Sequence, residues 1–569
     1  MSDQVIEQRS GGYYRFLEFC RDVWIYALLI GGALIFSWPF LWMATTSVKV
    51  DREMFGEKIH LWPQRPIPQV KSPYIDTRAY DDLSGARLNE LLPILQDRLE
   101  KMDYAWPADI DRSTAIQQVA RGTYKKLQDT VPVDVWNSPM ISDEVSKRVD
   151  AAMVSSVLGE IRRALLIGQL RVRSYDLQED QLVAADKVAT SWQVGGAGKA
   201  ELVQIEGTQD PHAELRYDFA QGDNVELSQT FHTSFPLETI DASGRHTSNF
   251  YHLQLYLRND DTWHPLIVYI EKLGKKYEAE RAYDLADFNN WGIGTWQEYG
   301  PDDKSNKIRT WTLLREIGPS PVTGPHELKV TVEIDRNSPA GAWWAKLLRN
   351  YRFALDHLPF WRYVATSVFL VILNLVGTLL SSSLVAYSFA RLQWPGRNFS
   401  FALMLATMMV PAQVTMIPYF LIMRSLGWYN TLYPLWVGSF FAGAFNVFLL
   451  RQFLKGIPRD LEDAAKIDGC GFWRVYWHIM LPLIKPTLAA IAIFTFMGTW
   501  NEFIGPVIYL QDQRLYPLAL GLYAFNVESG GSMGMMMAGS LLMTAPVIII
   551  FFFAQKYFIQ GVTLTGMKG

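Results

Sequence analysis

Five side chains in the apolar C-terminal part of the chain are of types that can bind a polar solute: Gln413, Asn446, Trp500, Asn501 and Glu502. A polar group inside an apolar span is costly, so it usually faces a cavity or another helix. The ring of Trp500 offers a flat face for stacking beside two of them. The pattern predicts a polar pathway, although hydrogen bonding between helices explains any single residue equally well.

No group of residues predicts catalysis. The chain has nine histidines, and none forms a recognisable set with a nucleophile or an acid–base pair, although paired carboxylates stay an open alternative. A Gly-Lys pair at Gly198-Lys199 resembles part of a phosphate-binding loop, but Gln193 replaces its first glycine and Ala200 its Ser or Thr. We predict a chain that is not an enzyme and binds no metal or cofactor directly.

Aromatic residues in the polar central region form a second candidate set. Exposed rings there would suit stacking on a sugar, whereas burial in a core is the commoner fate of such side chains; the candidates are Trp263, Trp291, Trp296 and Trp311. The acidic and amide residues nearby match no calcium-loop spacing and predict turns instead: Asp284, Asp287, Asn289, Asn290, Asp302 and Asp303.

Apolar segments divide the 569-residue chain into unlike parts whose average, 49% hydrophobic, is unremarkable. The uncharged run 23–47 is long enough to cross a bilayer and longer than the apolar core of a signal peptide, which predicts a retained transmembrane helix. Further apolar spans lie at about 363–390, 399–423, 432–450, 486–510 and 535–558. The sequence therefore predicts about six spans.

Positive charge orients these spans. Arginines lie in the tail 1–22, and basic residues recur in the loops 391–397 and 451–485. Six spans put these segments on one side, and the positive-inside rule makes that side the cytoplasm. Residues 48–359 are then external, or periplasmic. Both cysteines, Cys20 and Cys470, fall on the cytoplasmic side, so the external region cannot be a disulfide scaffold and needs a core of its own.

The external region has two textures. Leucines recur at helical spacing in the first part, and another helical run is predicted over about 143–170 with Ser142 as its cap. Short alternating strands separated by Gly, Pro, Asn and Asp follow. The sequence predicts an α+β domain that is helical at about 80–170 and β-rich at about 171–336, and the strands favour a β-sandwich.

The polar loop from Arg459 to Pro486 lies between two apolar runs and predicts two short helices. Pro458 suits a first helical position, Gly469 allows the turn that ends the first helix, and the second helix is predicted from about Phe472 to Met480, stopping at Leu481-Pro482. The loop combines small residues, a glycine and an aromatic helix. It is therefore predicted to be a compact protrusion that another protein can bind.

This loop resembles the EAA loop of ABC importer permeases. The matching residues are Asp463, Ala464, Ala465, Gly469, Ile479, Leu481 and Pro482, with Asp463 standing where the family usually has Glu. The stretches AYSFARLQWPGR, MMVPAQVTMIPYF and GTWNEF resemble the MalG-type permeases of carbohydrate importers, as do EMFGEKIHLWPQRP, the entry to the second helix near Asn350 and the closing GVTLTGMKG. The resemblance covers 1–66 and 350–569 and fails for 67–349.

The resemblance implies an α-helical type I permease fold over 360–569 and the first helix, with a large domain inserted between the first two helices. It implies an inner-membrane subunit that imports a carbohydrate. It also implies a cytoplasmic ABC ATPase dimer that uses ATP, a second permease (MalF-like or a second copy) and an extracytoplasmic solute-binding protein. A membrane-anchored carbohydrate-binding or sensing protein is the alternative. The inserted domain is expected to be a docking platform, a binding module or a contact with the second permease.

Overall fold

The structure is a computed structural model of the chain. It describes residues 2–55, 60–72, 74–80, 83–106, 110–175, 180–182, 191–205, 212–240, 246–286, 291–298, 308–528 and 532–563. Five residues of the predicted turns, Asp287, Asn289, Asn290, Asp302 and Asp303, lie outside these ranges, as do the last six residues of the chain.

The α-helices are numbered here in chain order. The first is α1 (Ser2–Thr46). The region predicted to be external, a name kept below for residues 48–359, contains α2 (Asp51–Phe55), α3 (Leu88–Lys101), α4 (Arg112–Thr130), α5 (Val133–Trp136), α6 (Ile141–Arg148), α7 (Ala151–Ile161) and α8 (Pro339–His357). The C-terminal part contains α9 (Phe360–Arg391), α10 (Arg397–Thr407), α11 (Ala412–Ser425), α12 (Ala444–Gly456), α13 (Asp460–Ile467), α14 (Phe472–Val475), α15 (Leu481–Leu483), α16 (Lys485–Trp500), α17 (Ile504–Tyr509), α18 (Leu518–Glu528) and α19 (Met533–Thr563).

The described residues include four helical segments long and apolar enough to cross a membrane: Phe19–Thr46, Phe360–Arg391, Val437–Gly456 and Met533–Phe553. Two further apolar pairs are bent, α10 with α11 by 99° and the helical segment Phe472–Leu483 with α16 by 75°. Counting each bent pair as one span gives up to six. Several apolar helices are thus present, while the count of six stays a prediction.

The helical part of the external domain packs α3, α4, α6 and α7 around one apolar core that includes Leu91, Val119, Val145 and Val157. The helix predicted over 143–170 is wrong. The segment breaks at Val149, whose backbone is extended, and α7 starts after Asp150, whose side chain accepts a hydrogen bond from the Met153 amide at 2.7 Å. Helix α7 ends at Ile161, and a β-strand occupies Leu165–Ser174.

The strands are β1 (Tyr74–Ile75), β2 (Arg162–Arg163), β3 (Leu165–Ser174), β4 (Asp180–Leu182), β5 (Gln193–Gly195), β6 (Lys199–Ile205), β7 (His212–Asp218), β8 (Asn224–His232), β9 (Glu238–Ile240), β10 (His246–Ser248), β11 (Phe250–Arg258), β12 (Pro265–Lys272), β13 (Lys275–Ala279), β14 (Tyr283–Asp284), β15 (Trp291–Gln297), β16 (Thr312–Pro319) and β17 (Glu327–Asp335). Strict alternation of buried and half-buried residues along β17 is typical of a strand with one face in a core.

Thirteen of the described strands form one ladder in the order β5–β8–β17–β12–β13–β16–β15–β11–β3–β7–β6, with β14 beside β12 and β4 beside β3. A short parallel pairing of β15 with β16 joins its two antiparallel halves. Both halves contribute to one apolar core, for example Leu255 and Val332. The β-rich insert is confirmed as a barrel-like domain, and its classification as a β-sandwich stays a prediction.

Both ends of the external domain meet at a largely buried set of ion pairs, which we call the junction cluster: Arg52, Glu53, Asp76, Arg163, Asp261 and Lys346. Arg163 lies 3.0 Å from Asp76 and 3.1 Å from Asp261, and Arg52 lies 2.5 Å from Asp76. Lys346 of α8 pairs with Glu53 at 2.6 Å, and both side chains are about 95% buried. The cluster therefore ties the segment after α1, the β domain and α8 together.

Helix α1 is fastened to α8 immediately beside the junction cluster. The Asn350 amide donates hydrogen bonds to the carbonyl oxygens of Ser47 and Lys49 at 2.9 and 3.0 Å. The hydroxyl groups of Ser47 and Tyr351 lie 2.7 Å apart. Because these carbonyls follow the last turn of α1, the amide satisfies acceptors that the helix itself leaves open. The two chain connections to the membrane part are therefore held side by side.

Asp76→Asn is expected to destabilise the external domain in a pH-dependent way. Burial raises the pKa of Asp76, but the guanidinium groups of Arg163 and Arg52 outweigh it and hold the pKa below its ordinary value of 3.8. A carboxyl with a lowered folded pKa stabilises the protein above its unfolded pKa, and this contribution disappears as pH falls through the folded pKa. Breaking such a buried pair typically costs about 3–5 kcal/mol.

The measurement is the free energy of unfolding of the purified chain, followed by tryptophan fluorescence between pH 7 and pH 3. The difference in free energy of unfolding between wild type and Asp76→Asn should be constant near neutral pH and should become smaller below about pH 4. Asp463→Asn is the control, because the Asp463 side chain is 62% exposed in its ion pair and such pairs contribute little. A difference that grows on acidification would contradict the role given to Asp76.

Candidate functional site

The loop between α12 and α16, which we call the coupling loop (residues 457–484), begins with a helix that ends at a glycine. Gly469 has φ +79°, its amide bonds to the Lys466 carbonyl at 3.0 Å, and the Cys470 amide bonds to the Ala465 carbonyl at 2.9 Å. This is a Schellman ending, which favours glycine because of the left-handed backbone. Helix α13 starts at Asp460 with Arg459 as N-cap, so the prediction of Pro458 at the first helical position is wrong by two residues.

Arg391, the last residue of α9, anchors the base of the coupling loop. Its Nε lies 3.0 Å from Oε1 of Glu462, and the two side chains are only 3% and 8% exposed. Its Nη2 also donates to the carbonyl oxygens of Leu454 and, at 2.6 Å, Ile457. One guanidinium therefore fixes the end of α12, the start of the loop and helix α13 to the membrane helix α9.

The second half of the loop is helical to Leu483, so the predicted stop at Leu481-Pro482 is wrong. Helix α14 passes into a π-helical turn at Tyr476–Met480, then into α15 with Pro482 in its first turn. Proline is tolerated there because the first turn needs few amide donors, and the bend falls at Ile484 instead. The Tyr476 hydroxyl lies 2.7 Å from the hydroxyl of Ser383 on α9 and anchors this half.

The tip of the coupling loop exposes apolar side chains. We call Ile467, Phe472 and Trp473 the loop tip; they are 86%, 64% and 69% exposed. Among the motif residues, Ala465 is buried, Ile479 and Leu481 are half-buried, and Asp463, Ala464, Gly469 and Pro482 are exposed. Asp463 pairs with Lys466 at 3.0 Å on the surface. The loop thus has an anchored base and an apolar tip that no described part of the chain covers.

A cavity of about 400 Å³ opens between the C-terminal helices. One face of α16 contributes Thr495, Gly498 and Thr499, and Glu502 follows; α9 contributes Asn374, and the remaining lining residues are Leu370, Tyr419, Pro434, Leu435, Gly505, Pro506, Tyr509 and Pro517. The Asn374 amide donates to the Leu435 carbonyl at 3.1 Å and the Tyr419 hydroxyl to the Pro434 carbonyl at 3.1 Å. Apolar walls with a few fixed polar groups are typical of a small-molecule site.

The five predicted pathway residues lie in different places. Glu502 lines the cavity and accepts a hydrogen bond from the Gly505 amide at 2.8 Å. Asn501 is exposed and bonds back to the Met497 carbonyl at 2.9 Å. Trp500 is 3% exposed, donates to the Met543 carbonyl at 3.0 Å and stacks on Phe496. Gln413 is exposed and Asn446 half-buried.

Sequence reasoning missed the other polar residues of this cavity. Asn374 is an amide inside an apolar span, the same signal that singled out Asn446. Tyr419 and Tyr509, whose rings lie 6.1 Å apart at 90°, and Thr499 carry no such signal, because tyrosine and threonine are common in membrane helices. The Arg391–Glu462 pair was also missed, since nothing local connects the two positions.

The four external tryptophans differ in exposure. Trp296 is 1% exposed within the β core. Trp263 is equally buried, with its indole nitrogen bonded to Asp261 at 3.0 Å and the Lys346 ammonium 5.9 Å from its ring centre. Trp311 is half-buried beside the guanidinium of Arg309. Trp291 is 45% exposed on β15, so its ring is the most accessible of the four.

The C-terminal part of the chain is similar to known transport proteins. Residues 380–564 match the family model described as binding-protein-dependent transport system inner membrane component. The arabinooligosaccharides transport system permease protein AraQ of Halalkalibacterium halodurans is 38% identical over 37% of this chain and 75% of its own length. The lactose transport system permease protein LacG of Rhizobium radiobacter is 34% identical over 36% and 73%.

A solved bacterial ABC transporter involved in the import of the acidic polysaccharide alginate is 27% identical over 37% of this chain and 79% of its own, with a TM-score of 0.33. The chain belongs to the family of binding-protein-dependent transport system inner membrane components. The predicted resemblance to MalG-type carbohydrate ABC importer permeases is confirmed, since the relatives named above are permeases of arabinooligosaccharide and lactose transport systems.

Proposed function

We propose that this chain is a transmembrane subunit of a carbohydrate importer and transmits the closure of a cytoplasmic ATPase dimer to its own helices through the coupling loop. The observation that carries the proposal is the contrast between the two ends of that loop. Arg391, Glu462, Tyr476 and Ser383 fix its base to α9, while the apolar loop tip is exposed. Exposed apolar patches of this kind mark protein interaction sites.

A rigidly anchored loop transmits force, whereas a flexible loop would absorb it. When the ATPases bind ATP and close, they would carry the loop tip with them, and the Arg391 anchor would pass the displacement to α9. Helix α9 also lines the cavity through Asn374 and Leu370. The cycle is an alternation between inward- and outward-facing states driven by differential binding, with hydrolysis on the ATPase subunit and no reaction on this chain.

The cavity lined by Asn374, Thr499 and Glu502 is the proposed passage for the sugar. Its volume suits a small carbohydrate, and its amide, hydroxyl and carboxylate groups can exchange hydrogen bonds with sugar hydroxyls. We assign the external domain to the periplasmic side, with a solute-binding protein delivering the sugar there and a second permease completing the pore. The alternative of an anchored sensor is not favoured, because a sensor has no use for the coupling loop.

The test is affinity purification of the tagged chain in mild detergent, with identification of the proteins that accompany it. We expect a nucleotide-binding ATPase subunit and a second permease subunit, or a second copy of this chain. Replacing the loop tip with serines should remove the ATPase and leave the second permease in place. Recovery of no ATPase from wild type in several detergents would overturn the proposal.

A further inference from the structure

The outer face of the external β domain carries a set of side chains that the transport mechanism does not use. Strands β15, β11 and β3 lie side by side there, and their core-facing residues include Trp296, Leu255 and Leu170. Since side chains alternate along a strand, the intervening residues point outward. We call the outward set the outer platform: Trp291, Ile293, Thr295, Gln254, Tyr256, Gln169 and Arg171.

The pairing of the strands brings the platform residues together. Thr295 is opposite Gln254, which is opposite Arg171. Two residues before Thr295 on β15, Ile293 is opposite Tyr256, and Trp291 lies at the start of the strand. From Trp291 to Thr295 the strand rises about 14 Å, a length that suits a short oligosaccharide.

The aromatic rings of the platform are held in place and remain accessible. A β-carbon on Gly168 would lie 3.0 Å from the Trp291 ring and 3.2 Å from Tyr256, so the absence of a side chain at Gly168 makes room for the indole. His212 meets the Trp291 ring edge to face, with ring centres 5.4 Å apart. Trp291 is nevertheless 45% exposed and its neighbour Ile293 is 50% exposed.

Polar groups border these rings and retain hydrogen-bonding capacity. The Arg171 guanidinium lies 4.9 Å from the centre of the Tyr256 ring and donates to the Gln169 amide oxygen at 3.3 Å. Among the described residues no carboxylate forms an ion pair with Arg171. The Gln254 amide reaches the Thr295 hydroxyl only at 3.5 Å, a long contact that a better partner can replace.

We propose that the outer platform binds an oligosaccharide, with a sugar ring stacked on Trp291 and its hydroxyl groups bonded to Gln254, Thr295 and Arg171. A sugar ring has apolar C–H faces and a rim of hydroxyl groups that both donate and accept, which complements accessible rings bordered by amide, hydroxyl and guanidinium groups. The choice of a carbohydrate over a protein partner rests on the proposed transport function. The guanidinium of Arg171, which has no carboxylate partner among the described residues, favours a sugar acid over a neutral sugar.

The experiment uses the full chain in lipid nanodiscs without an ATPase. Its binding is measured on an array of neutral pentose and hexose oligomers and uronate oligomers, and the best ligand is then titrated by calorimetry. We expect wild type to bind, Trp291→Ala to bind at least tenfold more weakly, and Gln254→Ala several-fold more weakly. Arg171→Met should reduce the preference for uronates over neutral oligomers.

Trp62→Ala is the matched control, because Trp62 is 74% exposed and lies outside the platform. This variant should bind the glycan as tightly as wild type does. Absence of glycan binding by wild type, or equal binding by Trp291→Ala, would overturn the inference. Loss of a captured protein partner in Trp291→Ala, with no glycan bound by wild type, would make the face a protein interface instead. Glycan binding by a chain that recovers no ATPase would overturn the proposed transport function alone.

Discussion

Gly469→Asp is expected to abolish coupled transport while leaving the chain folded and in the membrane. A β-carbon at Gly469 meets no atom within 4 Å in the described chain, so the new side chain disturbs nothing internal. The positive φ costs about 1 kcal/mol for most residues, and Asp tolerates it better than most. The carboxylate would instead enter the interface that we propose between the loop and an ATPase, where a buried unpaired charge weakens binding about tenfold or more.

The measurements are ATP-driven sugar uptake and ATPase co-purification in proteoliposomes or mild detergent. Gly396→Asp is the matched control, because Gly396 also has positive φ and open space around its β-carbon position but precedes α10, outside the coupling loop. The control should retain the ATPase and most of the transport. Full uptake by Gly469→Asp would show that this part of the loop does not enter the ATPase.

Arg391→Met is expected to release the base of the coupling loop from α9. It leaves Glu462 buried without its cationic partner and frees the Leu454 and Ile457 carbonyls. Removing one partner of a buried pair typically costs about 3–5 kcal/mol of stability. Here that loss should weaken the attachment of the coupling loop to α9. We expect the amides of residues 457–484 to exchange hydrogen with solvent much faster, and ATP hydrolysis to continue with little uptake.

A double-mutant cycle separates the ion pair from the other bonds of Arg391. Glu462→Met alone should speed hydrogen exchange in the coupling loop, because it leaves a buried guanidinium without its partner. The double variant with Arg391→Met should exchange more slowly than the two single effects predict, since an apolar pair then replaces the buried charges. Lys466→Met is the control, because its ion pair with Asp463 is about half exposed. Strict additivity of Arg391→Met and Glu462→Met would mean that the pair contributes nothing to anchoring.

The coupling loop was predictable in part because its signals are local. The turn at Gly469 follows from the need for a left-handed residue after a short helix, and the structure has positive φ there. The helix stop at Pro482 was wrong because a π-helical turn precedes it and shifts the bend to Ile484. Arg391 was read only as a topogenic charge, because its partner lies in a different element and only the packing of α9, α12 and α13 brings them together.

The external domain shows the limit of alternation. Trp291 and Trp296 have four residues between them on one strand, so their side chains must face opposite sides of the sheet. Alternation alone does not say which of the two faces the core. The core-facing side of this strand usually shows as a row of bulky apolar residues, but here Trp296 shares its side with Gly292 and Gly294. The register with β11, where Leu253 is opposite Trp296, decides it. The early start of the strands at Arg162 likewise depends on tertiary pairing with β1.

The junction cluster makes the external domain a structural part of the connection between α1 and α8. Glu53 and Lys346 are 293 residues apart in the chain yet touch, and Asn350 grips the end of α1. The spacing between the outer ends of the first two membrane helices is therefore set by contacts that lie at the neck of the insert. Asp76, Arg163 and Asp261 of the insert belong to the same cluster, so a domain exchanged for this one would have to supply equivalent charges to keep the two helices at their present spacing.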